Sequence, residues 1–423
     1  MQLKKQIYKE KKSKTSLVYL MIWFISIVIA VIWTYENPDK IELIKNIYKK
    51  NQDPVSKEIK AQSIKILANS FIVNYENIIS LSHKTSFVLY DKEEELFNPN
   101  LLKIYTQNGF LMHNSQAKKI KLPDSFTLQR NGGVKTIFSN DKNKFALISN
   151  NKGKCFYASL VELSQGKELL KSKCLPENKK KTDFNGLGSS SVHFNNNIYL
   201  SIGTPTQNSN LIYDLAQNHN SIFGKIIEIN KSSLNNLNLE YKIFSTGHRN
   251  PQGLTVLNNK IFSVEHGPKG GDELNLIESK KNYGWPLVSY GTRYMYDNNG
   301  KSYKVNHEAE NFTEPLFALV PSVGISSINN CPKILKNYYN KNCLMALSLY
   351  GNNLMPGRSI IIFLLNDNLD KINSFEKIYL GDDMKLRHFV TNEKNELYED
   401  EQGNIFVSVD LKGIYKITFS EFR

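Results

Sequence analysis

Cysteine is scarce in this chain of 423 residues, and the four cysteines lie in two local pairs. Cys155 and Cys174 form one pair, and Cys331 and Cys343 form the other. Neither pair has CxxC spacing and no histidine stands nearby at metal-ligand spacing, which argues against a structural zinc site. Each pair can instead close a disulfide bond in an oxidising compartment, and four unpaired buried thiols are the alternative.

The chain also lacks a basic stripe interleaved with aromatic residues, although its formal net charge is +14. Lysines crowd the first fifteen residues, and the other cations are scattered singly through polar loops. A nucleic-acid groove requires cations concentrated on one face of a folded domain. The charge distribution therefore argues against nucleic acid as a partner.

One uncharged apolar run, "TSLVYLMIWFISIVIAVIWTY", occupies residues 15–35. As a helix it crosses the roughly 30 Å of hydrocarbon in a bilayer, and no small-x-small cleavage site follows it. We expect a transmembrane signal anchor rather than a buried core helix. Residues 1–14 are then a basic cytoplasmic tail and residues 36–59 a stalk, because lysines before an anchor stay in the cytoplasm. This orientation sends the remaining chain, residues 60–423, into the periplasm or the extracellular space.

Long amphipathic helices are almost absent from residue 60 onward, and short β-rich runs bounded by Asn, Gly, Asp and Lys replace them. One kind of run returns six times, mostly at intervals of 50 to 65 residues. These runs are "SFVLYD" at 86, "KFALIS" at 144, "NIYLSIG" at 197, "KIFSVEHG" at 260, "NCLMALSL" at 342 and "NIFVSVD" at 404. A recurring unit of about four short strands predicts an all-β, six-bladed β-propeller over residues 60–423. A pair of β-sandwiches is the competing fold.

The stretch "GHRNPQGL", residues 247–254, carries polar side chains around one proline. Pro251 fixes its own φ and keeps Asn250 out of the helical region. Arg249, Asn250 and Gln252 are thereby presented on a rigid turn, as one planar cation and two amides. Such a set suits a planar, oxygen-rich or anionic ligand, and a solvated turn is the alternative.

A second stretch, "EHGPKGGDELNLI" at residues 265–277, is rich in glycine. Gly267 and Pro268 present bare backbone carbonyls, and Asp272 and Glu273 follow closely. Ca²⁺ takes 6 to 8 oxygen ligands in flexible geometry, so the loop is a candidate calcium site. A glycine-rich turn that binds nothing is the alternative.

Joined in this order, "GHRNPQGL" and "EHGPKGGDELNLI…KNYGWPLVSYGTRY" resemble the glucose/sorbosone dehydrogenase family. Weaker similarity extends to residues 185–203, 216–229, 315–327 and 384–389. The resemblance implies an exported six-bladed propeller that oxidises sugars or related alcohols. In that family a histidine takes the proton of the anomeric hydroxyl, and hydride passes to pyrroloquinoline quinone (PQQ) held beside Ca²⁺.

The resemblance also implies roles for particular residues. The carbonyls of Gly267 and Pro268 match the calcium ligands, and "MKLRHF" supplies two cations for the carboxylates of PQQ. Residues two apart on a strand face the same side, which agrees with that pairing. The cofactor-binding residues implied are Arg249, Asn250, Gln252, Lys385 and Arg387.

This chain departs from the family pattern at the proton-transfer residues. Leu187 occupies the position of the histidine, and it has no site that could accept a proton. Ser191 replaces an arginine, Tyr350 a lysine and Asn131 a glutamine.

The catalytic base is therefore unknown from the sequence. His193 reads as structural, while Asp183 and His219 are poorly placed candidates. Two functions remain open: a PQQ- and Ca²⁺-dependent sugar dehydrogenase with an unknown electron acceptor, and a catalytically degenerate propeller that binds a glycan or an envelope partner.

Overall fold

The computed structural model describes residues 64–67, 71–90, 96–175, 183–205, 214–235, 239–293, 303–350 and 358–421. All of them belong to one compact unit, Asp53–Arg423. The predicted tail, anchor and stalk, residues 1–59, lie outside the described residues and stay predictions. Within the described ranges, no helix combines the length and the apolar composition needed to cross a membrane.

The described strands form six antiparallel sheets, which we call blades 1 to 6. The first strands of the chain, β1 (Ile64–Leu67) and β2 (Phe71–Ser80), belong to blade 6. Blade 1 contains β3 (Thr85–Leu89), β4 (Lys103–Thr106), β5 (Phe110–His113) and β6 (Gln116–Lys119). Blade 2 contains β7 (Val134–Asn140), β8 (Asn143–Lys152), β9 (Cys155–Glu162) and β10 (Lys167–Lys171). Blade 3 contains β11 (Ser191–Phe194), β12 (Asn197–Ile202), β13 (Lys225–Asn230) and β14 (Tyr241–Thr246).

The second half of the ring repeats this order. Blade 4 contains β15 (Pro251–Leu257), β16 (Lys260–Glu265), β17 (Asp272–Ile277) and β18 (Phe317–Leu319). Blade 5 contains β19 (Ile325–Asn330), β20 (Asn342–Ser348), β21 (Ser359–Leu365) and β22 (Ile372–Tyr379). Blade 6 is completed by β23 (Leu386–Phe389), β24 (Ile405–Val409) and β25 (Gly413–Glu421). Helices among the described residues are short: α1 (Lys231–Asn235), α2 (Lys333–Tyr339) and 3₁₀ turns at Pro99–Leu101, Gln129–Asn131, Asp214–Ala216 and Glu308–Glu310.

The first strands of the six blades contact one another in a closed ring, β3–β7–β11–β15–β19–β23 and back to β3. Blade 6 joins the two ends of the described chain, because β2 pairs antiparallel with β25 from Phe71–Glu421 to Ser80–Gly413. These contacts confirm the predicted all-β, six-bladed propeller. Such a ring surrounds a central channel lined by its first strands.

The recurrent apolar runs mark the blades, with one difference in position. Five of them are second strands: β8, β12, β16, β20 and β24. The run at residue 86 is β3, a first strand, so its expected equivalence with the others is wrong. All five residues of β3 are buried, and a strand buried on both faces shows the same continuous apolar composition in either position.

Apolar layers between neighbouring blades form the core. One layer contains Phe138, Phe145 and Leu160 from blade 2 together with Ile198 and Ile227 from blade 3. Because each blade is covered on both faces, the loops at the two ends of the ring carry most of the exposed polar groups.

The loops sort onto two ends of the ring because neighbouring strands are antiparallel. Segments that enter a first strand, or that join a second strand to a third, lie at one end, which we call the entry end. The segment 391–397, the crossing loop, lies at the opposite end. Its hydrogen bonds reach Tyr90 of blade 1, Lys144 of blade 2, Ser191 of blade 3 and Asn329 of blade 5. A segment bonded to four other blades passes across the ring axis and covers the channel at that end.

Both cysteine pairs form disulfide bonds, Cys155–Cys174 in blade 2 and Cys331–Cys343 in blade 5. The first joins the start of β9 to the segment after β10, and the second joins β20 to the segment after β19. The expected pairing is confirmed, and the alternative of unpaired thiols is excluded for these four residues.

Candidate functional site

The turn from β14 to β15 is held by one buried carboxylate at the end of β16. Glu265 is 2% exposed. Its Oε2 accepts hydrogen bonds from the backbone N–H groups of Arg249, at 2.7 Å, and Asn250, at 3.3 Å. Its Oε1 lies 3.2 Å from Nδ1 of His248. This network gives the polar turn one conformation and brings it to the entry end.

The side chains of this turn are engaged by the protein itself. Nη1 of Arg249 donates to the carbonyl of His266 at 2.8 Å, and the guanidinium lies 5.3 Å from the ring centre of Trp285. Oδ1 of Asn250 accepts from the backbone N–H of Gly188 and from Nε2 of Gln252, both at 2.8 Å. A Cβ at Gly188 would come within 2.5 Å of this amide pair, so the close approach requires glycine there. The protein's own contacts therefore hold this turn, residues 248–252, in one conformation, and we call it the polar corner.

The glycine-rich loop packs directly against this corner. The backbone N–H of His266 donates to the carbonyl of Asn250 at 3.0 Å, so the two motifs lie together at the entry end. The loop folds back sharply, because a Cβ at Gly267 would lie 1.5 Å from the carbonyl oxygen of Gly271. Asp272 anchors it to blade 5 through three backbone N–H groups, those of Val323, Gly324 and Ile325.

The fit of this loop to calcium is limited. The carbonyl of Pro268 already accepts the N–H of Gly271 at 3.2 Å. Oδ2 of Asp272 already accepts three backbone N–H groups of the segment that enters blade 5. Burial, and then the charge of Glu265, raise the pKa of Glu273 well above its usual range. The described ranges contain no group of three or more His, Cys, Asp or Glu that could hold a metal ion. A calcium ion would rely on the backbone carbonyls of Gly267 and Pro268.

The two cations of "MKLRHF" also reach the entry end, beside Tyr350. Nζ of Lys385 lies 5.6 Å from the ring centre of Tyr350. Nε of Arg387 donates to Oδ1 of Asp410 at 2.9 Å, and its Nη2 contacts Oδ2. Lys385 precedes β23 and the pairing of β23 with β24 skips Arg387. We expected Lys385 and Arg387 on one side because side chains alternate along a strand. That reason is wrong, because Lys385 lies outside β23 and Arg387 is skipped in the pairing.

Arg387 belongs to a layer of equivalent positions around the ring. Among the described strands, five of the six first strands contain one residue that their pairing with the second strand skips. These residues are Ser86, Lys135, Gln252, Ser326 and Arg387. An unpaired residue of this kind bends the strand and re-aims its side chain, and such bulges are frequent next to active sites.

Lys135 in β7 is a site residue that the sequence reasoning missed. Its Nζ donates to the carbonyls of Asn131 at 2.8 Å and Phe184 at 3.2 Å. Burial lowers its pKa to about 7, with Asp183 opposing this shift and the charges of Arg387 and Lys84 adding to it. Those cations belong to blade 6 and to the loop before β3, so charges from three blades converge here. The other six residues of β7, "VKTIFSN", are buried, but this burial is visible only in the structure.

His266 was inside a quoted motif but was given no role. Burial is the main cause that lowers its pKa, the charges of Arg249 and Arg387 add to it, and Asp272 opposes it. Its Nε2 is buried and has no hydrogen-bond partner among the described residues. Because Arg387 acts on both His266 and Lys135, blades 2, 4 and 6 meet around one space.

The position assigned to the family histidine holds no proton acceptor. Leu187 is 1% exposed and belongs to the apolar layer between blades 2 and 3. Ser191 begins β11, and its carbonyl accepts the side-chain amide of Asn395.

The other candidate bases lie in blade 3 or in the segments that enter it and join its strands. His193 lies in β11, where burial is the first cause that lowers its pKa to about 4. Asp183 accepts hydrogen bonds from Asn185 and Asn131. His219 is exposed.

Comparison with known proteins gives one matching family model, Glucose / Sorbosone dehydrogenase, over residues 123–404. An uncharacterized protein of Synechocystis is 45% identical over 92 residues, which cover 19% of this chain and 22% of that protein. Aldose sugar dehydrogenase of Escherichia coli is 49% identical over 55 residues, which cover 12% of this chain and 15% of the relative. The matches thus span about a fifth or less of the curated relatives' own lengths.

Solved structures share the fold over most of the chain. A glucose dehydrogenase aligns with a TM-score of 0.62 and 18% identity, covering 82% of this chain and 99% of that one. The PQQ-bound aldose sugar dehydrogenase of Streptomyces coelicolor aligns with a TM-score of 0.53 and 13% identity, covering 86% and 99%. At these identities the similarity shows the fold alone.

Proposed function

Because the chain belongs to the glucose/sorbosone dehydrogenase family, we propose that it oxidises aldose sugars or related alcohols with PQQ and Ca²⁺. The observation that carries this proposal is the convergence of cations at one end of the propeller channel. The charges of Lys84 and Arg387 both act on Lys135 there, and that of Arg387 also acts on His266 beside Arg249.

The donor set suits PQQ, a planar tricarboxylate. Lys385 and Arg387 supply positive charge for its carboxylates, although Asp410 already pairs with one edge of the Arg387 guanidinium. Arg249 keeps a buried Nε without a partner among the described residues, and charge-assisted hydrogen bonds to such a donor are strong. The relative from Streptomyces coelicolor is described as PQQ-bound, which supports the same ligand here.

When bound, PQQ supplies a two-electron acceptor for hydride. The protein's own task is to hold the quinone and the substrate in one orientation, which can supply a large part of the rate enhancement. Asn250 and Gln252 hold the corner by their mutual hydrogen bond. Arg249 would contact the bound quinone, and the carbonyls of Gly267 and Pro268 would hold the calcium ion.

The test is isothermal calorimetry of the full-length chain in detergent against PQQ, with and without Ca²⁺, followed by dye reduction with aldoses. We expect PQQ binding that strengthens with Ca²⁺, and sugar-dependent reduction of the dye. Absence of both binding and turnover rejects the proposal.

A second function is a non-catalytic propeller that binds a glycan or an envelope partner. It is favoured by Leu187, which offers no proton acceptor, and by Tyr350, where the resemblance predicts a lysine. Saccharide binding without quinone binding supports this alternative, and sugar-dependent dye reduction excludes it.

We further propose that the protein is a single-pass membrane protein whose propeller faces the periplasm or the extracellular space. The apolar run at residues 15–35 supports this arrangement. Both disulfides support it as well, because such bonds persist in oxidising compartments. Protease added outside intact cells or spheroplasts should degrade the propeller, and full protection of the propeller would contradict the topology.

A further inference from the structure

Oxidation of a carbinol to a carbonyl requires an acceptor for the hydroxyl proton as well as one for hydride. A positioned base typically contributes about 100- to 10,000-fold to the rate. Leu187 cannot serve, because it is an alkyl side chain packed in the apolar layer between two blades. The proton must therefore go to another group that faces the channel.

Lys135 reaches the same turn from the neighbouring blade. The carbonyl of Phe184 accepts the backbone N–H of Leu187 at 3.0 Å and Nζ of Lys135 at 3.2 Å. The amine therefore lies beside the turn that carries the position of the missing histidine. Lys135 also occupies the unpaired position of β7, equivalent to Gln252 in blade 4 and Arg387 in blade 6.

The hydrogen bonds of Lys135 can be made by an uncharged amine. Such an amine has two N–H groups and one lone pair, and the carbonyls of Asn131 and Phe184 accept two N–H groups. The lone pair is left for a further donor. Burial also lowers the pKa of Lys225 to about 7, but its Nζ donates to three carbonyls, which require the three N–H groups of an ammonium and leave no lone pair. Those carbonyls belong to Leu215, Ala216 and Phe223.

The charges around Lys135 favour the same form. Burial is the main cause that lowers its pKa to about 7. Arg387 from β23 and Lys84 from the loop before β3 lower the pKa further, and Asp183 from the segment that enters blade 3 opposes them. Near neutral pH a large fraction of this side chain is therefore free to accept a proton, as general-base catalysis requires.

We propose that Lys135 is the general base of the oxidation. Its Nζ takes the proton of the substrate hydroxyl and becomes an ammonium, the C–O bond becomes a carbonyl, and the carbon loses hydride to the bound quinone. The two electrons of the C–H bond reduce the quinone, and the ammonium returns its proton to solvent. This inference rests on the proposed function and names the proton acceptor for it.

The first test needs no cofactor. The full-length chain is pulsed with acetic anhydride over a range of pH, and the acetylation of each lysine is quantified by mass spectrometry. Lys135 should reach half of its maximal labelling near pH 7, and the labelling of Lys118, exposed in β6, serves as the reference for the reactivity of the reagent at each pH. A midpoint for Lys135 above about 9 would overturn the proposal.

The second test compares variants loaded with PQQ. Lys135→Arg is permanently protonated and cannot accept a proton, so kcat should fall about 100- to 10,000-fold, while the added positive charge should not weaken PQQ binding. Lys135→His should recover part of the activity, with the acidic, rising limb of its pH profile near 6.5. Lys118→Met serves as the control and should behave as wild type.

The outcomes separate the two proposals. If the wild type oxidises sugars and Lys135→Arg stays within about threefold of it, the base is another group and the proposed function stands. If the wild type neither binds PQQ nor oxidises sugar, the proposed function fails. The role of Lys135 as a general base then fails with it, because there is no oxidation to serve.

Discussion

At the scale of single residues, the polar corner depends on Glu265. Its carboxylate receives donors from His248, Arg249, Asn250 and Asn275, the last at 3.0 Å. A buried carboxylate is stable only when its lone pairs are filled, and here the donors are what hold the turn. The conformation of the polar corner therefore depends on the carboxylate of Glu265.

We expect Glu265→Gln to lower the free energy of unfolding by about 2–4 kcal/mol, because the new amide N–H₂ faces donors that have lost their acceptor. Urea denaturation measures this change, and calorimetry should show weaker PQQ binding. Glu401→Gln, in an exposed turn, is the control and should stay within about 0.5 kcal/mol. Equal stability of the two variants would contradict the role of Glu265.

At the scale of elements, the crossing loop 391–397 covers the end of the channel opposite the corner. Asn395 has a φ of 65°, its side-chain amide binds the carbonyl of Ser191, and its own carbonyl accepts Nδ2 of Asn329 at 3.0 Å. Asn395 therefore combines a left-handed backbone conformation with a side-chain hydrogen bond to another blade.

Two substitutions separate these contributions. Asn395→Gly keeps access to the left-handed region and loses the side-chain bond, so we expect a loss of about 1 kcal/mol. Asn395→Ala adds a backbone penalty and should lose about 2 kcal/mol. Thermal unfolding and hydrogen exchange of residues 391–397 measure both effects. An alanine variant more stable than the glycine variant would contradict this account.

The two disulfides make separate contributions. Because each constrains the unfolded chain, replacing Cys155 and Cys174 together by serine should cost about 2–4 kcal/mol, and so should replacing Cys331 and Cys343. The longer loop, with a sequence separation of 19 against 12, should give the slightly larger loss. Denaturation under oxidising conditions measures both. A wild type that reacts with thiol reagents before reduction would contradict the pairing.

At the scale of the whole molecule, buried histidines make stability depend on pH, and two of them have strongly lowered pKa values. Burial and the neighbouring charge of Arg387 lower the pKa of His388 to about 3, and burial is the main cause that lowers that of His193 to about 4. The unfolded chain binds protons at these sites below about pH 6.5, and the folded chain does not. Stability should therefore fall as the pH drops from about 6.5 toward 4.

Each histidine contributes a slope of up to about 1.4 kcal/mol per pH unit in that window. Urea midpoints between pH 4 and 7 measure the total. In His388→Gln the unfolded chain binds about one proton fewer in this window. The urea midpoint should therefore fall less steeply between pH 7 and pH 4 than it does in the wild type. A slope that is unchanged in this variant would show that His388 is not neutral in the folded state.

The blade number and the two motifs were predictable because they depend on local patterns. Continuous apolar runs mark strands buried on both faces, Pro251 fixes its own φ, and Gly267 allows a close backbone approach that a Cβ would block. The position of "SFVLYD" was predicted wrongly, because composition reports burial and not the place of a strand within its blade. Lys135 was missed for a related reason: the pairing of β7 with β8 skips it, and no local pattern shows a skipped residue.

By itself, the amino-acid sequence determined the repeat of six sheets, the rigid proline corner and the glycine turn, because each follows from the conformational limits of neighbouring residues. Only the closed ring decided which distant charges share one space, since Lys135, His266 and Arg387 come from three different blades. Their proton affinities depend on burial and on one another's fields, and those exist only after the blades have packed.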